Sequence, residues 1–172
     1  LGLPILVNYL IDKKFEDVSL INYWKEHLSG LTEKLELCGD YSSGSKKFDY
    51  KGKDHEVLFD EEESRACEAF CKDNGISEYV LFLSAFGILL SAASGNSDFV
   101  IGTPVSGRTI SETKNICGPF INTLPVRLSI DPENSVFDFL SNVRSEVAAL
   151  LDHQNITLEE LINALGLPRE IG

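Results

Sequence analysis

The chain has 172 residues, of which 43% are hydrophobic, so it can bury one core of domain size and is not expected to be disordered. Its 27 acidic residues outnumber its 15 basic ones, which gives a net charge of −12 at pH 7. This balance argues against nucleic acid and against an anionic membrane surface as main partners.

The first predicted element is a helix that ends near Gly30, because glycine commonly follows a helix C-terminus. We interpret Trp24, which lies on its apolar face, as a core anchor rather than a ligand platform. Residues 39–54 are rich in Gly, Ser and Lys and predict a surface loop. The residues at helical spacing in the first helix are Leu20, Tyr23, Trp24 and Leu28.

A short strand is predicted at residues 55–59, followed by a helix that begins after Asp60 and ends at Asn74-Gly75. Glu63 stands at the position that completes a capping box with Asp60. The acidic run at residues 61–63 resembles a carboxylate cluster, but the helix dipole favours negative charge in a first turn. We therefore interpret the run as a solvated helix start. The predicted buried stripe consists of Ala66, Cys67, Phe70 and Cys71.

The next helix is predicted to begin after Ser77 and is apolar nearly all round from Tyr79 to Ala93. This run is too short to span a bilayer comfortably. A helix that is apolar on all sides predicts a core helix. It leads into the apolar run at residues 99–101, which predicts a strand buried on both faces and hence half of an α/β unit.

Glycine and proline indicate that residues 102–108 form a loop. A second strand is predicted from Phe120 to Leu128, where apolar residues alternate with mixed ones. Asn122 interrupts the apolar face of this strand. Because a buried amide needs hydrogen-bond partners, Asn122 is expected either to bond the preceding loop or to face a cavity.

The C-terminal part predicts a long amphipathic helix that begins with a capping box between Ser135 and Asp138. His153 follows its end, and we interpret it as a C-cap donor rather than a general base. Thr157 and Glu160 are expected to cap a short helix over residues 158–165. The apolar face of the long helix consists of Val136, Phe139, Leu140, Val143, Val147, Leu150 and Leu151.

The cysteines and histidines do not form a metal-binding pattern. Two cysteines lie four residues apart, but no further ligands stand at a suitable spacing, so free thiols and no metal site are expected. The sequence also contains no P-loop, GxGxxG, GxSxG or HExxH motif. The cysteines are Cys38, Cys67, Cys71 and Cys117, and the histidines are His27, His55 and His153.

Two segments carry a resemblance to a known family. GTPVSGR at residues 102–108 and CGPFINTLPVR at residues 117–127 are similar to the GTPxxGR and GxFVNTLxxR motifs of nonribosomal peptide synthetase condensation domains. Residues 23–30 match the family's YWxxxLxG element. Residues 153–159 are similar to HQDxPFE but depart from it at three positions, and the LPIQYxDYAxW motif is degraded at residues 3–9.

The resemblance implies a chloramphenicol-acetyltransferase-like α/β fold, a two-layer mixed sheet covered by helices. Residues 1–172 would form the central to C-terminal part of a condensation domain, an incomplete C-terminal lobe. The family's HHxxxDG motif, whose second histidine is thought to act on the attacking amine, is absent from this sequence. We expect it in an upstream lobe, so no catalytic residue is assigned within this chain and the chain alone is expected to be inactive.

The implied activity is that of an acyltransferase that forms amide bonds between carrier-protein-tethered aminoacyl and peptidyl thioesters in secondary metabolite biosynthesis. The substrates would hang on phosphopantetheine arms, with no cofactor bound directly. Expected partners are the upstream lobe, carrier proteins and adenylation modules, in the cytoplasm, with no nucleic acid and no membrane. Two alternatives stay open: a noncatalytic docking or packing lobe, and a lobe of a related coenzyme A-dependent acyltransferase.

The resemblance also implies a substrate tunnel with a loop as its floor. Arg108 and Arg127 are equally compatible with structural ion pairs. The candidates for the tunnel and its floor loop are Gly102, Thr103, Ser106, Gly107, Arg108, Asn122 and Thr123.

Overall fold

The computed structural model describes residues 18–31, 35–37, 52–109 and 111–167. The chain is an α/β protein, as expected. Most of the predicted 39–54 loop and the 3–9 segment lie outside the described residues. The helices are α1 (Val18–His27), α2 (Glu61–Asn74), α3 (Glu78–Ser94), α4 (Val136–Asp152) and α5 (Leu158–Leu165), with a 3₁₀ helix at Ser111–Asn115 and strands β1 (Asp98–Val105) and β2 (Asn122–Ser129).

The chain divides into two compact units. Unit 1 comprises residues 1–34, 98–129 and 145–172, and unit 2 comprises residues 35–97 and 130–144. In unit 1, α5 packs against α1 and β2. In unit 2, α2 packs against α3. The buried apolar side chains of unit 1 are Trp24, Phe99, Val105, Phe120, Leu124, Val126, Leu128, Leu150, Ile156 and Leu161, and those of unit 2 are Cys71, Val80, Leu83, Leu90, Phe139, Leu140 and Val143.

The predicted helix caps are confirmed. Asp60 accepts a hydrogen bond from the Glu63 amide at 2.8 Å, and the Glu63 carboxylate accepts from the Asp60 amide at 2.9 Å. Thr157 and Glu160 form the same reciprocal pair before α5. These contacts satisfy backbone donors that no helical carbonyl can reach, which fixes where the helices begin.

Strands β1 and β2 pair antiparallel, with Asp98 opposite Ser129 and Val105 opposite Asn122. The expectation that residues 102–108 form a loop is therefore wrong for residues 102–105. Glycine and proline are compatible with the ladder here because the pair is two-stranded in the described residues, so each strand keeps a free edge. The loop begins only at Ser106.

Helix α3 is not buried on all sides as expected. One face is buried, at Val80, Leu83, Ser84, Gly87 and Leu90. The opposite face stays exposed, and Leu89 is 62% exposed. Helix α3 is thus apolar on both faces, and the described residues cover one of them.

The short strand predicted at residues 55–59 does not form a ladder in the described structure. The chain there is neither helix nor strand, and all of its residues are exposed. A strand needs a neighbour to satisfy its backbone groups, and no described segment pairs with this one.

No single helix in the described part of the chain is long and apolar enough to cross a membrane. Helices α2 and α3 reach the length and apolar composition of a membrane span only when taken together, and the chain bends by 101° between them.

Burial at the start of β2 predicts a contrast between two apolar side chains of equal size that lie three residues apart, one in the strand and one just before it. Leu124 is fully buried, whereas Ile121 is 80% exposed. Leu124→Ala should lower the free energy of unfolding by roughly 2–5 kcal/mol, because it removes buried methyl groups and leaves a cavity. Ile121→Ala should change it by less than about 0.5 kcal/mol. Denaturant melts of the two variants check this, and equal losses would contradict the assigned strand face.

Candidate functional site

The two motif segments meet where β1 and β2 end. We call this region the loop end, and it consists of residues 104–108 and 120–123. Gly107 lies at its centre, buried, with φ at +62°. A Cβ atom at this position would lie 1.9 Å from the Phe120 carbonyl oxygen. Only glycine fits such a contact, so the loop and the start of β2 press directly against each other.

Arg108 fixes the far side of the same loop. Its Nη1 donates hydrogen bonds to the carbonyl oxygens of Thr113 and, at 2.9 Å, of Ile116. Its guanidinium also lies 4.2 Å from the centre of the Phe120 ring, a cation–π contact. Arg108 therefore has a structural role of a kind the sequence did not indicate, since its partners are carbonyls and a ring rather than a carboxylate.

The side chain of Asn122 does not bond the loop at residues 106–108 in the described structure. Its Nδ2 donates to the Ile156 carbonyl oxygen at 2.5 Å, and its Oδ1 accepts from the Leu158 amide at 3.3 Å. It thus ties β2 to the turn before α5, 34 residues away. The expectation that it bonds residues 106–108 is wrong, because the turn before α5 offers it both a donor and an acceptor.

The register places the candidate residues on two different faces. Val105 and Asn122 are directly opposite, as are Thr103 and Leu124, so these four share the mainly buried face. Gly102 and Thr123 belong to the other face, where a Cβ at Gly102 would lie 3.2 Å from the Thr123 Cγ2. Asn122 and Thr123 are therefore neighbours in sequence that present their side chains to opposite sides of the pair.

Ser106 and Thr123 are the candidate side chains that remain exposed. The Ser106 hydroxyl accepts a bond from the Arg108 amide at 3.4 Å, which closes the loop locally. Thr103 is buried in β1. Five of the seven candidates thus lie at the loop end and Gly102 and Thr103 lie in the adjoining part of β1, and among them only the polar side chains of Ser106 and Thr123 are exposed.

The opposite end of the strand pair is held by Arg127. Its Nε and Nη2 donate to the two oxygens of Asp98 at 2.9 and 2.6 Å, a bidentate pair. Its Nη1 donates to the carbonyls of His27 and Ser29, at the end of α1. The hydrogen bonds from Arg127 hold the pKa of the Asp98 carboxyl below its usual range. Arg127 is therefore a structural ion-pair residue, one of the two roles expected for it.

A second cluster connects α1 to the end of α4. The Tyr23 ring stacks on His153 with centroids 3.5 Å apart, and the Trp24 indole nitrogen donates to the His153 carbonyl at 3.1 Å. His153 Nδ1 lies 2.7 Å from the Ala149 carbonyl, which confirms its predicted role at the helix end. Nε2 of His27 lies 2.9 Å from Glu146 Oε2. Burial, with Glu146 and Asp152 nearby, raises the pKa of Tyr23.

Two contacts in these clusters could not be predicted from the spacing of residues in the sequence. Nothing in the spacing connected Asp98 to Arg127, since 29 residues separate them. The turn at residues 156–158 was predicted as a helix start and as part of a segment similar to HQDxPFE, but not as the partner of Asn122. Within the described residues no group of three or more possible ligands is placed to hold a metal ion, and Cys67, Cys71 and Cys117 are free thiols.

The contacts of Asn122 predict a stability effect that its neighbour lacks. Asn122→Leu should lower the free energy of unfolding by about 1–3 kcal/mol, because the carbonyl of buried Ile156 loses its donor. Thr123→Val, one residue away on the exposed face, should leave stability within about 0.5 kcal/mol. Thermal melts measure both, and a wild-type melt for Asn122→Leu would show that the tie to Ile156 contributes nothing.

The pair of Asp98 and Arg127 predicts a pH dependence. A carboxyl whose pKa is lowered on folding contributes stability above its ordinary pKa of about 3.9 and loses it as the pH falls through the lowered pKa. Asp98→Asn should therefore be less stable than wild type at neutral pH, and the difference should shrink below about pH 4. Exposed Asp73→Asn in α2 is the control and should follow wild type throughout. A difference for Asp98→Asn that does not vary with pH would contradict the assignment.

Comparison with known proteins identifies the family. A model of the condensation domain matches residues 8–172. Surfactin synthase subunit 1 of Bacillus subtilis is 32% identical over 149 residues, which is 87% of this chain and 4% of that protein. Malpinin synthetase of Mortierella alpina is 31% identical over 149 residues, 87% of this chain and 2% of that protein. The chain thus spans a small part of the relatives it matches.

Solved structures confirm the expected fold. The condensation domain of Monacolin K polyketide synthase matches 87% of this chain with 36% of its own, at a TM-score of 0.70 and 18% identity. The first condensation domain of the CDA synthetase matches 86% of this chain over 32% of its own length, with a TM-score of 0.69 and 21% sequence identity. A four-domain nonribosomal peptide synthetase bound to AMP and glycine is 31% identical in sequence over 62% of this chain and 8% of its own length, with a TM-score of 0.59. The chain belongs to the condensation domain family, with its chloramphenicol-acetyltransferase-like fold.

Proposed function

We propose that this chain is part of a nonribosomal peptide synthetase condensation domain that joins two carrier-tethered acyl groups through an amide bond. The amine nitrogen of one substrate attacks the thioester carbonyl carbon of the other. The C–N bond forms, the C–S bond breaks, and the donor's thiol leaves on its phosphopantetheine arm. The observation that supports the proposal most is that both family motifs, residues 102–108 and 117–127, lie side by side in one strand pair and meet at its loop end.

The chemistry also indicates what this chain leaves to another part of the domain. A base must take a proton from the attacking amine. The described loop end presents hydroxyls, an amide and a guanidinium, and none of these accepts a proton near neutral pH. We therefore assign the base to an upstream lobe that carries HHxxxDG, and we assign to this chain the positioning of substrate against that base.

The candidate residues fall into two groups by exposure, and we propose a different role for each group. Ser106 and Thr123 are exposed, so they are the side chains we assign to the wall of the substrate tunnel. Three other candidates contact residues of this chain, so we assign them to holding the floor loop in place. They are Gly107, Arg108 and Asn122. The tethered substrates imply carrier proteins and adenylation modules as partners and the cytoplasm as location.

A noncatalytic docking or packing role is the second candidate, and one solved structure of similar fold is compatible with it. The X-domain from teicoplanin biosynthesis has a similar fold, at a TM-score of 0.72 and 19% identity, and its structure was solved in complex with OxyB. That likeness concerns the fold alone. The two candidates differ in whether a complete protein that contains this chain forms an amide product. A coenzyme A-dependent acyltransferase would instead accept an acyl-coenzyme A in place of the loaded carrier.

The tight contact at Gly107 predicts a loss of condensation without a general loss of folding. Gly107→Ala places a methyl group where the Phe120 carbonyl lies, so the loop must move. In the complete protein, amide product from loaded carriers should fall by at least about tenfold, since displacement of positioning groups by an ångström is costly. Product captured on the acceptor carrier is measured by mass spectrometry.

Gly166→Ala provides the matched control. Gly166 has nearly the same backbone angle, a φ of +65°, but a Cβ there meets nothing within 4 Å. Both variants bear the strain of a positive φ, and only Gly107→Ala adds the clash. Equal activity in the two variants would contradict the role of the floor loop. A complete wild-type protein that makes no amide product from loaded carriers would contradict the proposed function.

A further inference from the structure

Ile121 has the most exposed large apolar side chain in the described part of unit 1, at 80%. A single exposed isoleucine is ordinary on a protein surface, so its position decides whether it is informative. It lies in the second motif segment, between buried Phe120 and half-buried Asn122, at the point where β2 begins. Its side chain therefore contributes little to the core, although the backbone on both sides of it is held by close contacts.

The strand register places Ile121 beside Ser106. The ladder ends at the pair of Val105 and Asn122, so the next residues outward on the two strands are Ser106 and Ile121. The two chain segments stay in contact beyond this point, at the close approach of Gly107 described above. Ser106 and Ile121 are thus held side by side at the end of the strand pair.

The exposed face at the loop end consists of one large apolar side chain among smaller ones. Ile121 and Thr123 are two residues apart and both exposed, whereas Asn122 between them is tied to the turn before α5. Pro104, which is opposite Thr123, and Ser106 are exposed as well. Ile121 therefore stands beside a proline ring and two hydroxyl-bearing side chains.

This face has no free charge to offer a ligand. Arg108 is the single charged residue of the loop end, and its guanidinium is engaged with two carbonyl oxygens and the Phe120 ring. A charged group placed against Ile121 would lose water without gaining an opposite charge. An apolar side chain would instead bury apolar surface there. The chemistry of the face therefore favours an apolar ligand group with hydrogen-bonding atoms beside it.

We propose that Ile121 is a specificity-determining residue, which packs against the side chain of one of the two carrier-tethered aminoacyl groups and favours apolar side chains over charged ones. The hydroxyls of Ser106 and Thr123 bond amide groups of the same substrate. The fixed backbone around Ile121 sharpens the choice, because the loop cannot move aside for a group that does not fit. The inference deepens the proposed function and rests on the part of it that brings tethered aminoacyl groups to this loop end.

Paired substrates in the complete protein test the inference. In one arm the donor carrier bears leucine or lysine and the acceptor carrier bears alanine, and in the other arm the two roles are exchanged. In the arm whose substrate contacts Ile121, wild type should favour leucine over lysine. Ile121→Asp should shift the ratio of kcat/KM toward lysine by at least about tenfold there, because it removes the apolar contact and supplies a carboxylate. The arm that shifts identifies the substrate, and mass spectrometry measures the amide product.

Val18→Asp provides the matched control. Val18 is also an exposed apolar residue, at 64%, and it begins α1, where the helix dipole favours negative charge. It should keep the wild-type ratio in both arms. Unchanged ratios for Ile121→Asp in both arms would overturn the inference. An equal shift in Val18→Asp would also overturn it, because the shift would then follow from added negative charge alone.

Protection of a thiol keeps the test decisive if Ile121→Asp makes no product. Carriers that bear leucine or lysine through an amide in place of the thioester cannot react, and each is added to the complete Ile121→Cys protein. A maleimide should label the introduced thiol at least about tenfold more slowly with the leucyl carrier than with the lysyl carrier, because a bound side chain covers it. Fragmentation of the labelled peptide separates this site from native Cys117, which is exposed.

Equal labelling with the two carriers would contradict the inference. Protection by the leucyl carrier in a protein whose wild type makes no amide product would leave the inference standing and contradict only the proposed reaction. Amide product from wild type with no difference in labelling would leave the proposed reaction standing and contradict only the role of Ile121.

Discussion

The antiparallel register of β1 and β2 is the constraint on which the rest of unit 1 depends. Residues 98–105 run against residues 129–122 without a bulge, so each side chain on one strand has a fixed opposite on the other. A shift of one residue would move Leu124, Val126 and Leu128 from the core to the exposed side. The burial of these three side chains therefore fixes the register, and the register fixes which polar groups reach the loop end.

Each end of the strand pair is then secured by a different kind of contact. At one end, a bidentate ion pair joins Asp98 to Arg127, which also binds two carbonyls at the end of α1. At the other end, Gly107 packs on the Phe120 backbone and Asn122 holds the turn before α5. Most polar groups in the family motifs are thus used to hold the backbone. This arrangement supports the proposal that the chain positions a substrate.

Local signals in the sequence were enough for the helices and for the apolar face of β2, because capping pairs such as Asp60 with Glu63 act within one turn. They were not enough for contacts between distant residues. Asn122 was recognised as a polar break in a strand, but its partners lie 34 and 36 residues away and no spacing rule reaches them. The extent of β1 was misjudged because Gly102 and Pro104 look like loop residues until their strand partners are known. The strand expected at residues 55–59 and the core face expected at Leu89 failed for one shared reason: each needs a neighbouring layer, and sequence pattern alone does not show whether that layer is present.

The most direct test of this account is a cross-strand disulfide in the complete protein. Pro104 and Thr123 are directly opposite and both exposed. A disulfide requires Cα atoms roughly 4.4–6.8 Å apart, and opposite residues of a strand pair meet this requirement, so the thiols of Pro104→Cys and Thr123→Cys should be able to bond. The account predicts near-complete oxidation of this pair and little oxidation of Ser106→Cys with Thr123→Cys, which are two positions out of register. Preferential oxidation of the second pair would show that the two motifs pair differently, and the loop end as described here would not exist.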